Sequence, residues 1–182
     1  TATVDIVPLI ASSIMSKKIA EGTEALVLDV KFGSGAFMVG RGDARELAET
    51  MVGLGSANGM LTAALLTDMN TPLGNTAGNS LEVAESVEVL AGGGPSDVVE
   101  LTVALAEVMC ELARIDADPA GLLGSGRAMD SWRRMVAAQG GDPDAPLPVA
   151  PHVEMLTAGA SGVITRLDAR PIGDAAWCLG AG

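Results

Sequence analysis

The 182 residues predict an α/β protein with a mostly parallel sheet flanked by helices. Three observations carry that prediction. Residues 25–30 (ALVLDV) and 61–67 (LTAALLT) are short, nearly unbroken apolar runs, the pattern of strands covered on both faces. Helix-patterned stretches alternate with these runs, and alternation of that kind builds parallel sheets. Glycine is frequent, at 23 residues, which suits many tight strand–helix connections.

The elements follow in order. Pro8 suits a helix's first turn, where its missing N–H is no loss. From Leu9 to Ala20 the apolar residues Leu9, Ile10, Ile14, Met15 and Ile19 recur at helical spacing, and Gly22 is a natural stop. The strand at 25–30 runs into the loop FGSGAFMVGRG. Asp43, with Glu46 three residues on, reads as a capping box that opens a helix over 44–56. The second strand, 61–67, stops at Asp68, and Asn70-Thr71-Pro72-Leu73-Gly74 is a turn. Residues 80–90 form an acidic amphipathic helix closed by Gly92, Gly93, Gly94 and Pro95. Ser96 is the expected cap of a long helix over 97–114, and another helix with Trp132 and Met135 is expected over 126–139. Residues 140–151 (GGDPDAPLPVAP) carry four prolines and read as a linker. Two strand candidates, 153–156 and 162–167, precede a last helix over 172–179.

Composition narrows the function classes. Apolar residues make up 48% of the chain, too many for disorder. With two Phe, two Trp and no Tyr, the core must be aliphatic and methionine-rich. The net charge of −12 argues against nucleic-acid binding. Residues 1–45 hold five basic and five acidic groups, so the whole excess of negative charge lies after residue 45, and an anionic substrate would best meet the first quarter of the chain. No apolar run approaches the roughly 18 residues of a membrane span and no export signal is evident, so a cytoplasmic protein is expected. Cys110 and Cys178 stand in no ligand spacing and are expected to be buried thiols.

Four constellations could carry chemistry. Ser13 and Lys17 stand at i and i+4, about 40° apart around a helix. Lysine brings three donors and a charge, and serine both donates and accepts, so the pair suits the carbonyl edge of an imide ring. The same spacing also fits a solvated Lys17–Glu21 surface pair. Phe32-Gly33-Ser34-Gly35-Ala36 follows a strand, where α/β proteins place ligand loops, but it is neither GxGxxG nor a P-loop and equally fits a plain tight turn. Asp29 and Lys31 share one strand face; Lys31 could reach a cleft or form an internal ion pair. Glu82, Glu85 and Glu88 share a helix face, either as a solvated stripe or, for one of them, as a ligand of a monovalent cation completed by loop carbonyls. His152 has no evident partner and is assigned no catalysis.

The strings ATVDIVPLIASSIMSKKIAEG, ALVLDVKFGSGAFM and DMNTPLGNTAGNSLEVAE resemble the pyrimidine-nucleoside phosphorylase and thymidine phosphorylase family. GGGPSDVVEL, GRAMDSW…AAQGGD and GVITRLDARPIGDAAWCLGAG continue the resemblance in register over essentially all 182 residues. The resemblance implies a glycosyltransferase in which phosphate, as co-substrate, attacks C1′ of a pyrimidine nucleoside and releases the free base and a (deoxy)ribose 1-phosphate. It implies that Ser13 and Lys17 bind the base, with Ile10 and Ile14 walling the ring. It implies no organic cofactor, but a structural potassium ion held by the carbonyls of Leu73 and Thr76 and the carboxylate of Glu85. Its partners would be nucleoside and phosphate, with neither nucleic acid nor membrane, in a homodimer.

The resemblance also sets expectations for organisation. Residues 1–22 would be one helix of a separate helical domain, residues 23–182 most of the central α/β domain, and residues 21–24 a hinge. The family's base-binding arginine, in an LRD-type word, and its phosphate-binding KxSxGG-type loop match positions before Thr1, and its last domain lies after residue 182. The chain is therefore expected to be a middle segment, inactive by itself. Two alternatives stand beside this reading. An anthranilate phosphoribosyltransferase-like enzyme shares the helical plus α/β arrangement but needs a diphosphate–magnesium site, for which no paired acidic motif is evident. A non-catalytic fragment or interaction module would keep the fold and lose the chemistry.

Overall fold

A computed structural model describes residues 6–181. Its elements are α1 (Val7–Ala20), β1 (Ala25–Phe32), α2 (Arg41–Ala57), β2 (Leu61–Asp68), α3 (Asn79–Leu90), α4 (Ser96–Ala113), α5 (Pro119–Gly124), α6 (Arg127–Ala138) and α7 (Ala169–Cys178). The part of the expected helical segment over residues 1–5, and Gly182, lie outside the described residues.

β1, α2 and β2 form a β–α–β unit. The two strands pair in parallel and in register from Ala25 opposite Leu61 to Phe32 opposite Asp68. The expected α/β class holds, with seven helices and a two-stranded parallel sheet among the described residues. The core gathers on one side of that sheet. Ala11 and Met15 of α1, Val30 of β1, and Ala44, Leu47, Ala48 and Met51 of α2 form one buried cluster with Met38 and Met60. Even-numbered strand residues Leu26, Leu28, Phe32, Ala64 and Leu66 pack against it, as the period of two requires. α4 packs against both strands.

Two glycines are fixed by local geometry, one by close packing and one by the end of a helix. Gly55, buried on α2, stands where a Cβ would lie 2.1 Å from Thr62 Oγ1 and 3.3 Å from Met15 Cε, so only glycine lets α2 settle between α1 and β2. Gly22 ends α1 with a left-handed φ of 71°. Its N–H donates to Ile19 O (3.1 Å), and that of Thr23 donates to Lys18 O (3.4 Å), the paired bonds of a Schellman stop.

Several expectations need correction. The strand candidates at 153–156 and 162–167 are unpaired, extended chain, with Val153, Leu156 and Val163 each about nine-tenths exposed. Alternating apolar residues make a strand only where another strand supplies the ladder. α5 was not foreseen; it is a six-residue helix started by Pro119 and capped by the Asp118 carboxylate, which accepts from Gly121 N. Asp43 lies inside the first turn of α2 rather than at its cap, where Gly40 stands. Ser96 likewise opens α4 from within, behind Pro95. Asp168 is the cap of α7 by position, but Arg166 engages its carboxylate; that hydrogen bond and charge push the guanidinium above its ordinary value. Cys110 is only partly buried and Cys178 is exposed, so the thiols are free but do not belong to the core.

Candidate functional site

The residues of α1 at i, i+1, i+4 and i+5 from Leu9, namely Leu9, Ile10, Ser13 and Ile14, present one face to a cavity of about 440 Å³. That volume lies within the range of small-molecule sites. Leu47 and Met51 of α2 and Phe37 and Met38 of the loop after β1 complete an apolar wall. Ser13 is the hydroxyl in it, and Asp29 and Lys31 of β1 bring the charges. Ile10 and Ile14, expected to wall the base, line the same cavity as Ser13.

Lys17 does not line the cavity. It stands one turn further along α1, exposed, four residues from Ser13. The competing surface pair is not formed by it either: Glu21 is taken by Lys18 at 3.0 Å. Lys17 makes no ion pair among the described residues.

The glycine loop is a tight turn that sets the cavity's mouth. Gly33, at φ 122°, donates from its N–H to Met38 O (3.1 Å), and a Cβ there would come within 2.7 Å of Asn70 N. Gly35 N donates to Met69 O at 3.0 Å, and a Cβ on Gly35 would lie 2.6 Å from that of Ala169. Asn70 clasps the loop from the end of β2: its Oδ1 accepts from Ser34 N and its carbonyl from Ser34 Oγ, both at 3.1 Å. Asp68 Oδ1 in turn accepts from Asn70 N (2.7 Å) and Nδ2 (2.8 Å). Phe37, 58% exposed, is thereby held at the rim. Sequence reasoning read Asn70 only as a turn former; an Asp-x-Asn pair at a strand exit was the available signal.

Asp29 and Lys31 form the ion pair that spacing allowed, at 2.8 Å, and Lys31 also lines the cavity. Thr67, in register with Lys31 on β2, binds both: its hydroxyl donates to Asp29 Oδ1 and accepts from Lys31 Nζ at 3.2 Å.

A second site lies at the start of α3. Glu85 is buried, 9% exposed, whereas Glu82 accepts at Oε1 from Gly78 N (2.9 Å), so the three glutamates do not form a uniform solvated stripe. Glu85 Oε1 accepts from Asn75 N at 2.9 Å. Thr76 and Glu85 line one cavity, and Thr76 Oγ1 is buried with no partner. Gly74 permits the closure, because a Cβ there would fall 2.0 Å from Glu85 Oε2. Leu73 belongs to the same turn but is 41% exposed and does not line that cavity. A buried carboxylate without an ion-pair partner among the described residues, beside an orphaned hydroxyl in a closed turn, fits a monovalent cation. Among the described residues no three His, Cys, Asp or Glu side chains gather to hold a metal, so carbonyls would have to supply the other ligands.

A mostly apolar cavity near the end of a parallel strand, with one hydroxyl and an ion pair, has the size and lining of a small-molecule site in an α/β protein. A family model described as "Glycosyl transferase family, a/b domain" matches residues 1–127, and the chain belongs to that family. It is 65% identical over 183 residues to a thymidine phosphorylase of Mycobacterium tuberculosis, covering 100% of this chain and 43% of that protein. It is 44% identical over 199 residues to a pyrimidine-nucleoside phosphorylase of Staphylococcus epidermidis and 45% over 194 residues to one of Bacillus subtilis, in each case covering 100% of this chain and 45% of the relative. The chain thus spans less than half the length of these relatives.

Proposed function

We propose that this chain carries the base-binding part of a pyrimidine-nucleoside phosphorylase, a pentosyltransferase that converts nucleoside and phosphate to free base and (deoxy)ribose 1-phosphate without an organic cofactor. The supporting observation is the cavity that Ser13 shares with Ile10 and Ile14, in a chain whose relatives are named for that reaction over its whole length. In the reaction the sugar becomes oxocarbenium-like and the departing base gathers negative charge. Donors already fixed on its carbonyl edge stabilise that charge without rearranging. Ser13 supplies a hydroxyl inside the cavity; Lys17, one turn on and unpaired with Glu21, supplies an ammonium that swings over the same edge. The turn with the carbonyls of Leu73 and Thr76 and the carboxylate of Glu85 holds potassium, whose part is to fix that turn against α3. Residues 1–22 act as part of a helical domain and residues 23–182 as the α/β domain, hinged at 21–24, in a cytoplasmic homodimer.

The test is a pair of variants in the full-length gene product. Lys17→Ala lowers kcat/KM for thymidine by roughly 10²-fold, the scale of losing a charge-stabilising donor. Ser13→Ala lowers it by roughly tenfold, the scale of one net hydrogen bond. Unchanged values in both would refute the assignment.

A further inference from the structure

Asp29 and Lys31 line the cavity as an ion pair and take no part in holding the base. Val30 faces the buried core, and Asp29 and Lys31, its neighbours in a strand, point to the other sheet face. All three line the same cavity. β1 is an edge strand of the two-stranded described sheet, where residues of both faces can line one cavity. Thr67 holds the pair from the strand behind.

The valences of this trio are only partly used. Lys31 Nζ has three N–H donors, of which Asp29 Oδ2 takes one and Thr67 Oγ1 another. Asp29 accepts from Lys31 and Thr67 and keeps further lone pairs on both oxygens. A spare donor and a spare acceptor therefore stand side by side, 2.8 Å apart, with side chains about a quarter to a third exposed. Their charges cancel, so the pair has no pull on phosphate, and its carboxylate would repel it. A hydroxyl is the group that satisfies both at once, accepting from the ammonium and donating to the carboxylate.

We propose that Asp29 and Lys31 bind one sugar hydroxyl of the nucleoside, with Thr67 as the residue that positions them. The inference rests on the phosphorolysis reading, which places the base against α1 and leaves the sugar to reach β1. Binding the sugar from the strand and the base from the helix would hold the two halves of the glycosidic bond on different elements.

The experiment removes the protein's group and the substrate's group in turn. In the full-length gene product, kcat/KM is measured for 2′-deoxyuridine, its 3′-deoxy analogue and its 5′-deoxy analogue, for wild type, Lys31→Met and Asp29→Asn. Each variant is expected to lose about 10- to 100-fold on 2′-deoxyuridine, the effect of a hydrogen bond to a charged group. One analogue should lose similarly with wild type and show less than about threefold further loss with the variants. Thr67→Val, which leaves both charges, should give a smaller loss with the same analogue pattern, and it serves where the charge variants do not fold. Variant activity equal to wild type, or a loss of equal size on every substrate, overturns the inference while phosphorolysis stands. A wild type that releases base from none of the three overturns the phosphorolysis reading, and this inference with it.

Discussion

Lys18 rather than Lys17 pairs with Glu21, which leaves Lys17 out of the surface pair its spacing allowed. The register i to i+4 allowed both a surface pair and a base-binding pair. The structure assigns the surface pairing to the neighbouring lysine and puts Ser13 in the cavity. Glu85 differs from Glu82 and Glu88 in being buried. On the sequence it is one of three glutamates on a face, but it is the buried one, closed over by Gly74 and lining one cavity with Thr76, whose hydroxyl is orphaned. Potassium is expected to raise the melting temperature of the full-length gene product by a few degrees over the same concentration of choline, as binding to the folded state requires. Glu85→Gln should erase the difference, as read by circular dichroism. Equal melting in both salts with the wild type would contradict the cation site. What sequence could not supply was the clasp by Asn70 and the Thr67 bridge. Each depends on groups 36 or 38 residues apart, which only the strand register brings together.

At the scale of elements, the β1–α2–β2 unit was legible because its cues are local: two apolar runs, one helical period and glycines at the turns. The hidden features were those that depend on partners. Residues 153–167 have the composition of strands and lie unpaired. α5 was too short, at six residues, to show a period. The packing of α1 onto α2 was not visible in the helix pattern itself, yet it puts Ser13 opposite β1. That packing makes a stability prediction. Met15 is 1% exposed in the shared core, so Met15→Ala should cost about 2–5 kcal/mol, as large-to-small core changes do. Gly55→Ala, which forces a methyl onto Thr62, should cost about 1–3 kcal/mol despite alanine's better helix propensity. Urea denaturation measures both, and a stabilised Gly55→Ala would show that α2 does not sit as close to β2 as described.

At the scale of the whole molecule, the fold and the cavity support one activity. The net charge of −12 lies wholly beyond residue 45, leaving the first quarter of the chain, which carries most of the cavity's lining, electrically balanced. Among the described residues no helix is long and apolar enough to cross a membrane. The chain spans 43–45% of the length of these relatives, so the proposed phosphorolysis is tested in the full-length gene product. The most direct measurement is phosphate-dependent release of thymine from thymidine by that product, with 2-deoxyribose 1-phosphate identified alongside the base. Base and sugar phosphate are expected in equal amounts, with no release when phosphate is omitted, as phosphorolysis requires. Base release without phosphate, or no release from any pyrimidine nucleoside, would contradict it.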